Sequence, residues 1–441
     1  MYTFDWSALL NRPAKGALSP GDTAPAALAS AVPRSLADRV SPTVWALGFT
    51  SLLTDISSEM VASILPMYLV LQLGLSPVAF GLIDGLYQGV AALVRIAGGV
   101  LGDRWRRYKE MAALGYGVSA ACRLLILAAG SGWTAIAGIV AIDRIGKGLR
   151  TAPRDALIAL RSRSEDLATS FGVHRALDAV GAFLGPVVAF VILARMPGGF
   201  DVLFMTSFVV AMIGLGVILL FVDPAVPAKA VATAPPRARE AFALLGAPRF
   251  RSIALTALIL GLPTISDSFI FLALQARLQT GAPAFPLFYV GTSVFTAILA
   301  APAGRCADTF GRGRMLLAGY VLLWLAYLTV LQSSTGLVAM VLPLMLLGGY
   351  YAATDGVLTA MASAELPPEA TGSGLALLAT ITNVARFTAS ILFGTIWSVG
   401  GMRVATWTFV GMLAIACGLA SVILAGARSA AASGRADDIA G

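Results

Sequence analysis

From Val202 to Val222 the chain reads VLFMTSFVVAMIGLGVILLFV, without a single ionisable group. A helix needs about 20 such residues to cross roughly 30 Å of hydrocarbon. Runs of this kind recur along nearly the whole sequence, and they fix the fold class. Strand-length alternation is absent, so helices rather than a barrel must satisfy the backbone in lipid. Composition leaves no soluble alternative: 58% of the 441 residues are hydrophobic and 12% charged, with a mean hydropathy of +0.84. The expectation is an all-α integral membrane protein, multi-pass, in the lipid bilayer of the cell inner membrane.

Run length and flanking punctuation give about twelve transmembrane spans. They lie near 42–71, 78–101, 111–130, 133–152, 168–194 and 202–222, then near 252–276, 285–303, 314–332, 337–361, 372–397 and 404–426. The stretch VDPAVPAKAVATAPPRARE separates the two sets. The implied organisation is an N-terminal tail (1–40), a six-helix bundle (41–222), a linker (223–249), a second six-helix bundle (250–426) and a C-terminal tail (427–441).

The formal net charge of +8 is concentrated in short segments between apolar runs. Arg104, Arg106, Arg107 and Lys109 lie between spans two and three, and Arg154, Arg161 and Arg163 between spans four and five. Lys229, Arg237, Arg239, Arg249 and Arg251 follow span six, and Arg312 and Arg314 follow span eight. The alternate loops are nearly bare. Basic loops stay in the cytoplasm, so both termini are expected there. The basic charge therefore reads as topology, not as a nucleic-acid surface. Three scattered cysteines and one histidine suggest neither a disulfide framework nor a metal site. No cofactor is expected, and nothing calls for more than a monomer. Walker, G-x-S-x-G and H-E-x-x-H patterns are missing, so no catalytic residues and no enzyme are expected.

One short charged stretch is written twice. GVLGDRWRRYK begins at Gly99 and GRCADTFGRGR at Gly304, with Asp103 and Asp308 separated by 308 − 103 = 205 residues. SEDLATSFG before span five is likewise echoed by PPEATGSG before span eleven. Two equivalent halves explain both pairs.

At these residues the chain resembles the major facilitator superfamily. Its loop signature is Gly-x-x-x-Asp-Arg-x-Gly-Arg-Arg. Gly304, Asp308, Gly311 and Arg312 match it, as do Gly99, Asp103, Arg104 and Arg107, although Arg106 stands where the family has glycine. Arg144 and Gly148 meet a second signature in span four, with Lys147 where glutamine is common. Gly181, Gly185 and Pro186 meet a third, Gly-x-x-x-Gly-Pro in span five, with Ala189 replacing a following glycine. The resemblance extends over residues 42–426. It implies two pseudo-symmetric six-helix bundles around a central cavity, lined by spans one, four, seven and ten. It also implies that the loop motif works as a conformational latch. In physical terms, Asp103 would cap the start of span eleven, worth about 0.3–1 kcal/mol through the helix dipole. The glycines would allow the tight turn, and Gly181, Gly185 and Pro186 would allow close packing and bending of span five.

An ionisable group at mid-bilayer is costly, so it faces the protein interior or a water-filled path. Span one has Asp55 and Glu59, span two Asp84 and Arg95, span four Asp143, Arg144 and Lys147, and span five His174, Arg175 and Asp178. Span seven has Asp267, span ten Asp355 and span eleven Arg386; Arg123 in span three fits no pattern. Asp55 and Glu59 are four apart and share a helical face. Two carboxylates so placed cannot both ionise cheaply in a low-dielectric site. They and Asp267 are the candidates for carrying protons. The alternative is permanent pairing with Arg144 or Arg175 that holds helices together. Asp84, Asp143, Arg144, Lys147, Arg175, Asp178, Asp355 and Arg386 are the cavity and substrate candidates, and the cations favour an anionic or zwitterionic solute.

The sequence thus points to a secondary transporter, coupled to protons, that exports a small organic solute by alternating access. Proton-driven uptake of a nutrient or iron-chelating metabolite is the alternative within transport. A non-transporting receptor or assembly factor is the alternative outside it.

Overall fold

The computed structural model describes residues 36–105, 107–223, 242–332, 335–367 and 370–440. Side chains 37–38, 91–93, 95–105 and 427–440 lie outside the description, which therefore leaves out Arg95 and most of the first copy of the repeat. The described secondary structure is helical throughout. After a short turn at Leu36–Arg39, the first half contains α1 (Pro42–Met67), α2 (Pro77–Trp105), α3 (Tyr108–Ala128), α4 (Trp133–Arg161), α5 (Leu167–Arg195) and α6 (Phe200–Phe221). The second half contains α7 in two pieces (Pro248–Gly261 and Asp267–Leu278), α8 (Phe285–Phe310), α9 (Arg312–Leu331) and α10 (Leu337–Ser363). The stretch Thr371–Ala440 is helical except at Gly401, whose φ of 82° divides it into α11 and α12. Twelve membrane passes in two bundles result, as expected.

Only seven described helical stretches are apolar enough to span by composition alone. Two of the others have evident reasons. α4 carries a row of charges, and α7 is broken. Proline accounts for part of the break, because Pro263 cannot donate a backbone hydrogen bond. Tyr327 repairs it from α9: its hydroxyl donates to the Pro263 carbonyl at 3.1 Å and accepts from the Ile265 amide at 2.7 Å. Irregular backbone at membrane depth is tolerated when protein satisfies it in this way.

Three boundaries correct the sequence reading. α4 runs on to Arg161, so Arg154 belongs to a helix and not to a loop. The last turns of α2 and α8 absorb Asp103, Arg104, Gly304 and Asp308 into helix. Gly304 is therefore helical, and of the glycines in the second copy Gly311 alone makes the turn, at φ 95°.

Twelve passes bring the start of α1 and the end of α12 to one side of the bundle, here called the terminal side, and the opposite face is the far side. Packing divides along this axis. One continuous core joins both halves toward the far side, from Met60 and Phe80 through Phe269 and Phe288 to Phe393, and runs on within the second half to Leu316 and Val357. Phe80 of α2 meets Phe269 of α7 edge-on at 4.9 Å, and Phe269 meets Phe393 of α11 at 4.7 Å. Such ring pairs are each worth about 0.5–1.5 kcal/mol beyond area burial. Toward the terminal side there are two smaller cores, each within one half. One surrounds Val44, Tyr116 and Leu157 in the first half, and the other Phe250, Ala257 and Leu377 in the second. Among the described residues, the halves share a core toward the far side, and toward the terminal side each has a core of its own.

Candidate functional site

The charged face of α4 organises the first half. Asp143, Lys147, Arg150 and Arg154 recur at steps of four, three and four, so they form one stripe along the helix. At one end Asp143 accepts from Arg123 of α3 at 2.9 Å and from Arg144 Nε at 3.0 Å, with a second, closer contact to Arg144. Arg144 also lies over the Tyr87 ring of α2 at 3.9 Å, a cation–π contact. Asp143, Arg144 and Arg123 are all buried. Arg123, which fitted no pattern in the sequence, is the second counter-charge of Asp143.

Further along the stripe the pairs loosen. Arg150 stands 3.8 Å from Asp55 of α1 and 4.5 Å from the Tyr116 ring centre. Arg154 stands 3.9 Å from Asp178 of α5, and also holds Ser51 and Asp155 at 3.0 Å. Asp55 and Asp178 share one buried environment, within the field of Lys147. Glycine creates that closeness. A Cβ on Gly181 would lie 2.5 Å from the Leu52 carbonyl and 3.1 Å from Asp55 Cβ. One on Gly185 would lie 2.7 Å from Glu59 Cβ and 2.8 Å from the Ile56 carbonyl. α5 therefore touches the backbone of α1, with Pro186 inside the same helix.

The acidic neighbour of Asp55 is thus Asp178, not Glu59 as the helical spacing suggested. Glu59, half-buried, belongs to the surroundings of Arg144 and Tyr87. His174 is buried with no partner for Nε2, and Arg175 beside it is exposed. The partners of Asp55 and Asp178 are Arg150 and Arg154, which the sequence reading did not select. Arg150 lay inside the expected span and was passed over, and Arg154 lay beyond the end set for it at 152. The stripe from Asp143 to Arg154 was the available signal.

In the second half Asp267 opens the second piece of α7, where the helix dipole favours a carboxylate. The Tyr351 hydroxyl donates its one proton to this carboxylate, its oxygen lying 2.9 and 2.8 Å from Oδ1 and Oδ2. Asp355 of α10 and Arg386 of α11 line a cavity of about 260 Å³ together with Tyr320, Tyr350, Thr354 and Asn383.

Asp84 joins the halves. Its buried carboxylate accepts from Ser266 at the α7 break at 3.0 Å and from Ser390 of α11 at 2.7 Å. Backbones touch beside it. A Cβ on Gly81 would come within 2.5 Å of the Ser390 carbonyl, and one on Gly394 within 2.3 Å of the Pro77 carbonyl.

Of the repeat, Arg107 is exposed, and the side chains of Asp103 and Arg104, with Gly99, lie outside the described residues. In the second copy Asp308 is exposed, and Arg312 donates to the Ala360 carbonyl of α10 at 3.0 Å. That contact stays within one half.

Known proteins share this architecture. A 393-residue alignment, 29% identical, relates the chain to an uncharacterized MFS-type transporter of Methanocaldococcus jannaschii, covering 86% of this chain and 94% of the relative. Among solved structures, the nucleoside transporter NupG superposes with a TM-score of 0.75 at 15% identity, over 87% of this chain and 99% of that one. The peptide transporter POT superposes with a TM-score of 0.70 at 16% identity, over 88% and 94%. At such identities the two structures speak for the fold alone. The family model of the Major Facilitator Superfamily matches residues 47–291, more than half of the sequence. With that match, two six-helix halves and a multi-pass membrane fold, this chain belongs to the Major Facilitator Superfamily of transporters.

Proposed function

We propose that the chain exports a small organic solute across the inner membrane in exchange for protons, working as a monomer. The observation that carries this reading is the contrast along α4. Asp143 is clamped by two arginines at hydrogen-bond distance, which suits a structural joint. Asp55 and Asp178 crowd each other, while Arg150 and Arg154 stand 3.8 and 3.9 Å away. Crowded carboxylates with loosely held counter-charges can take up and release a proton by exchanging partners. Asp55 is the first candidate carrier, with Glu59 and Asp267 as further carriers.

The other selected residues divide between substrate and gate. Asp355 and Arg386 face the cavity and serve the solute. Arg144, Lys147, Arg175 and Asp178 tune the field around it. By the rule of basic loops the terminal side is cytoplasmic, so with the shared core toward the far side the state is read as inward-facing and would admit an intracellular solute. On swinging to the outward state, the terminal-side ends of the halves would meet. Asp103, Arg104, Arg107 and the second copy would then latch them.

The test is comparative profiling of small molecules in cells and medium, with the wild-type chain and with Asp55→Asn. Export predicts a compound enriched in the medium with the wild type and not with the variant. A compound enriched inside the cells instead would reverse the direction. Transport by Asp55→Asn that still follows an imposed pH gradient would remove Asp55 as a carrier.

A further inference from the structure

We propose that the cavity between α9, α10 and α11 binds a small zwitterion of the amino-acid type, with its carboxylate on Arg386 and its ammonium on Asp355. The inference rests on the transporter reading and gives it a substrate class.

Three observations converge. First, Arg386 and Asp355 line the same cavity without joining. Among the described residues neither side chain makes a hydrogen bond or an ion pair, although each lies in the other's field. Arg386 sits about 22 Å along α11 at 1.5 Å per residue, near the middle of that membrane pass. A guanidinium at this depth needs a counter-charge. Elsewhere the protein supplies one: the buried arginines of the first half each have an aspartate within ion-pair distance. Arg386 is built differently from those four.

Second, Tyr350 lines the cavity and is 1% exposed, yet its hydroxyl has no partner in good hydrogen-bond geometry, with only a weak contact to Tyr320 beside it. A buried, unsatisfied hydroxyl beside an unpaired guanidinium marks a place where a polar ligand completes the bonding. The pair suits a carboxylate, which accepts from a planar guanidinium through two oxygens and from a hydroxyl as well.

Third, size and lining limit the body of the ligand. A cavity of roughly 150 Å³ holds benzene, so about 260 Å³ holds roughly ten non-hydrogen atoms. That accommodates a free amino acid of about leucine size and not a long peptide. Leu316, Leu358, Leu375 and Leu378 give the walls an apolar character that matches such a side chain. An acid and a base that line one cavity without forming an ion pair can recognise separated charges on one molecule. A simple anion would leave Asp355 facing it, and a simple cation would leave Arg386.

The experiment uses the full-length protein in lipid nanodiscs. Its unfolding temperature is measured with each common free α-amino acid in turn. Any binder is then compared with its N-acetyl form, which is only an anion, and its methyl ester, which is only a cation. The expected result is a rise in unfolding temperature with one or more amino acids near leucine in size. Both blocked forms should bind at least roughly tenfold more weakly, about the loss of one charge-assisted bond. Arg386→Gln should abolish the response. Asp355→Asn should erase the preference for the free amino acid over its N-acetyl form, and it remains informative if Arg386→Gln fails to fold.

No response to any amino acid overturns the proposal. So does an N-acetyl form that binds as tightly as the free one, which makes the cavity a plain anion site, or a methyl ester that does so, which makes it a cation site. Flux in proteoliposomes separates this from the transporter reading. An amino acid that binds but is not carried would count against transport of that ligand and leave the site standing. Proton-coupled movement of other solutes without amino-acid binding would remove the site alone.

Discussion

Asp143 accepts from Arg123 and Arg144 together, and that double pairing gives it a different job from Asp55 of α1, which faces Arg150. Removing one member of a buried ion pair costs about 3–5 kcal/mol, because the remaining charge loses its compensation. Asp143→Ala would strand two guanidinium groups, so it should destabilise at least that much. Arg123→Met should cost less, about 1–3 kcal/mol, since Asp143 keeps Arg144. Heating the purified variants and comparing unfolding midpoints checks the order. Equal midpoints for the two would contradict the clamp. The selection of Asp143 and Arg144 was legible in the sequence because intramembrane charge is rare enough to notice. Their pairing was not. Arg123 sits twenty residues earlier on another helix, and only the packing of α3 on α4 brings it to Asp143.

At the scale of the element, the α1–α5 contact depends on two missing side chains. A Cβ on Gly185 would press within 2.9 Å of the Met60 amide and 2.8 Å of the Ile56 carbonyl, and backbone cannot yield as a flexible side chain can. Gly185→Ala should therefore force α5 away from α1, at a cost of about 1–3 kcal/mol, as other overpacked sites do. Gly216→Ala on α6 is the control. Open space surrounds that position, so the change should be neutral or stabilise by up to about 1 kcal/mol. Comparing the two unfolding midpoints tests whether close approach matters, or glycine as such. The motif Gly181-x-x-x-Gly185-Pro186 announced close packing in the sequence, but small residues at this spacing do not say which helix they meet. The stripe on α4 shows the opposite limit. Its spacing was fully present in the sequence, yet a helix longer than the bilayer requires hid its last residue, Arg154. The break in α7 escaped for a third reason. Its repair by Tyr327 is a contact between residues more than sixty positions apart.

At the scale of the molecule, the question is what holds the two halves together toward the far side. The aromatic contact of Phe80 on Phe269 is apolar and could slide, whereas the Asp84 carboxylate must give up two specific donors before the halves part. Hydrogen bonds to a charged group contribute about 1.5–3 kcal/mol each, and about 1.4 kcal/mol already changes a two-state ratio tenfold. Breaking this clasp should therefore redistribute the whole protein between its states. Asp84→Ala should favour the state open at the far side, and Asp84→Asn should do so less, because an amide oxygen can still accept from one serine. Spin labels at Leu71 and Val399, both exposed at far-side helix ends, report the opening. Labels at Glu110 and Thr309, exposed on the terminal side, report the matching closure. The expected outcome for Asp84→Ala is a longer far-side distance together with a shorter terminal-side one, as rocking of rigid halves requires. A far-side distance that lengthens while the terminal side stays fixed would mean local fraying of the gate, and unchanged distances at both ends would mean that Asp84 does not hold the halves together.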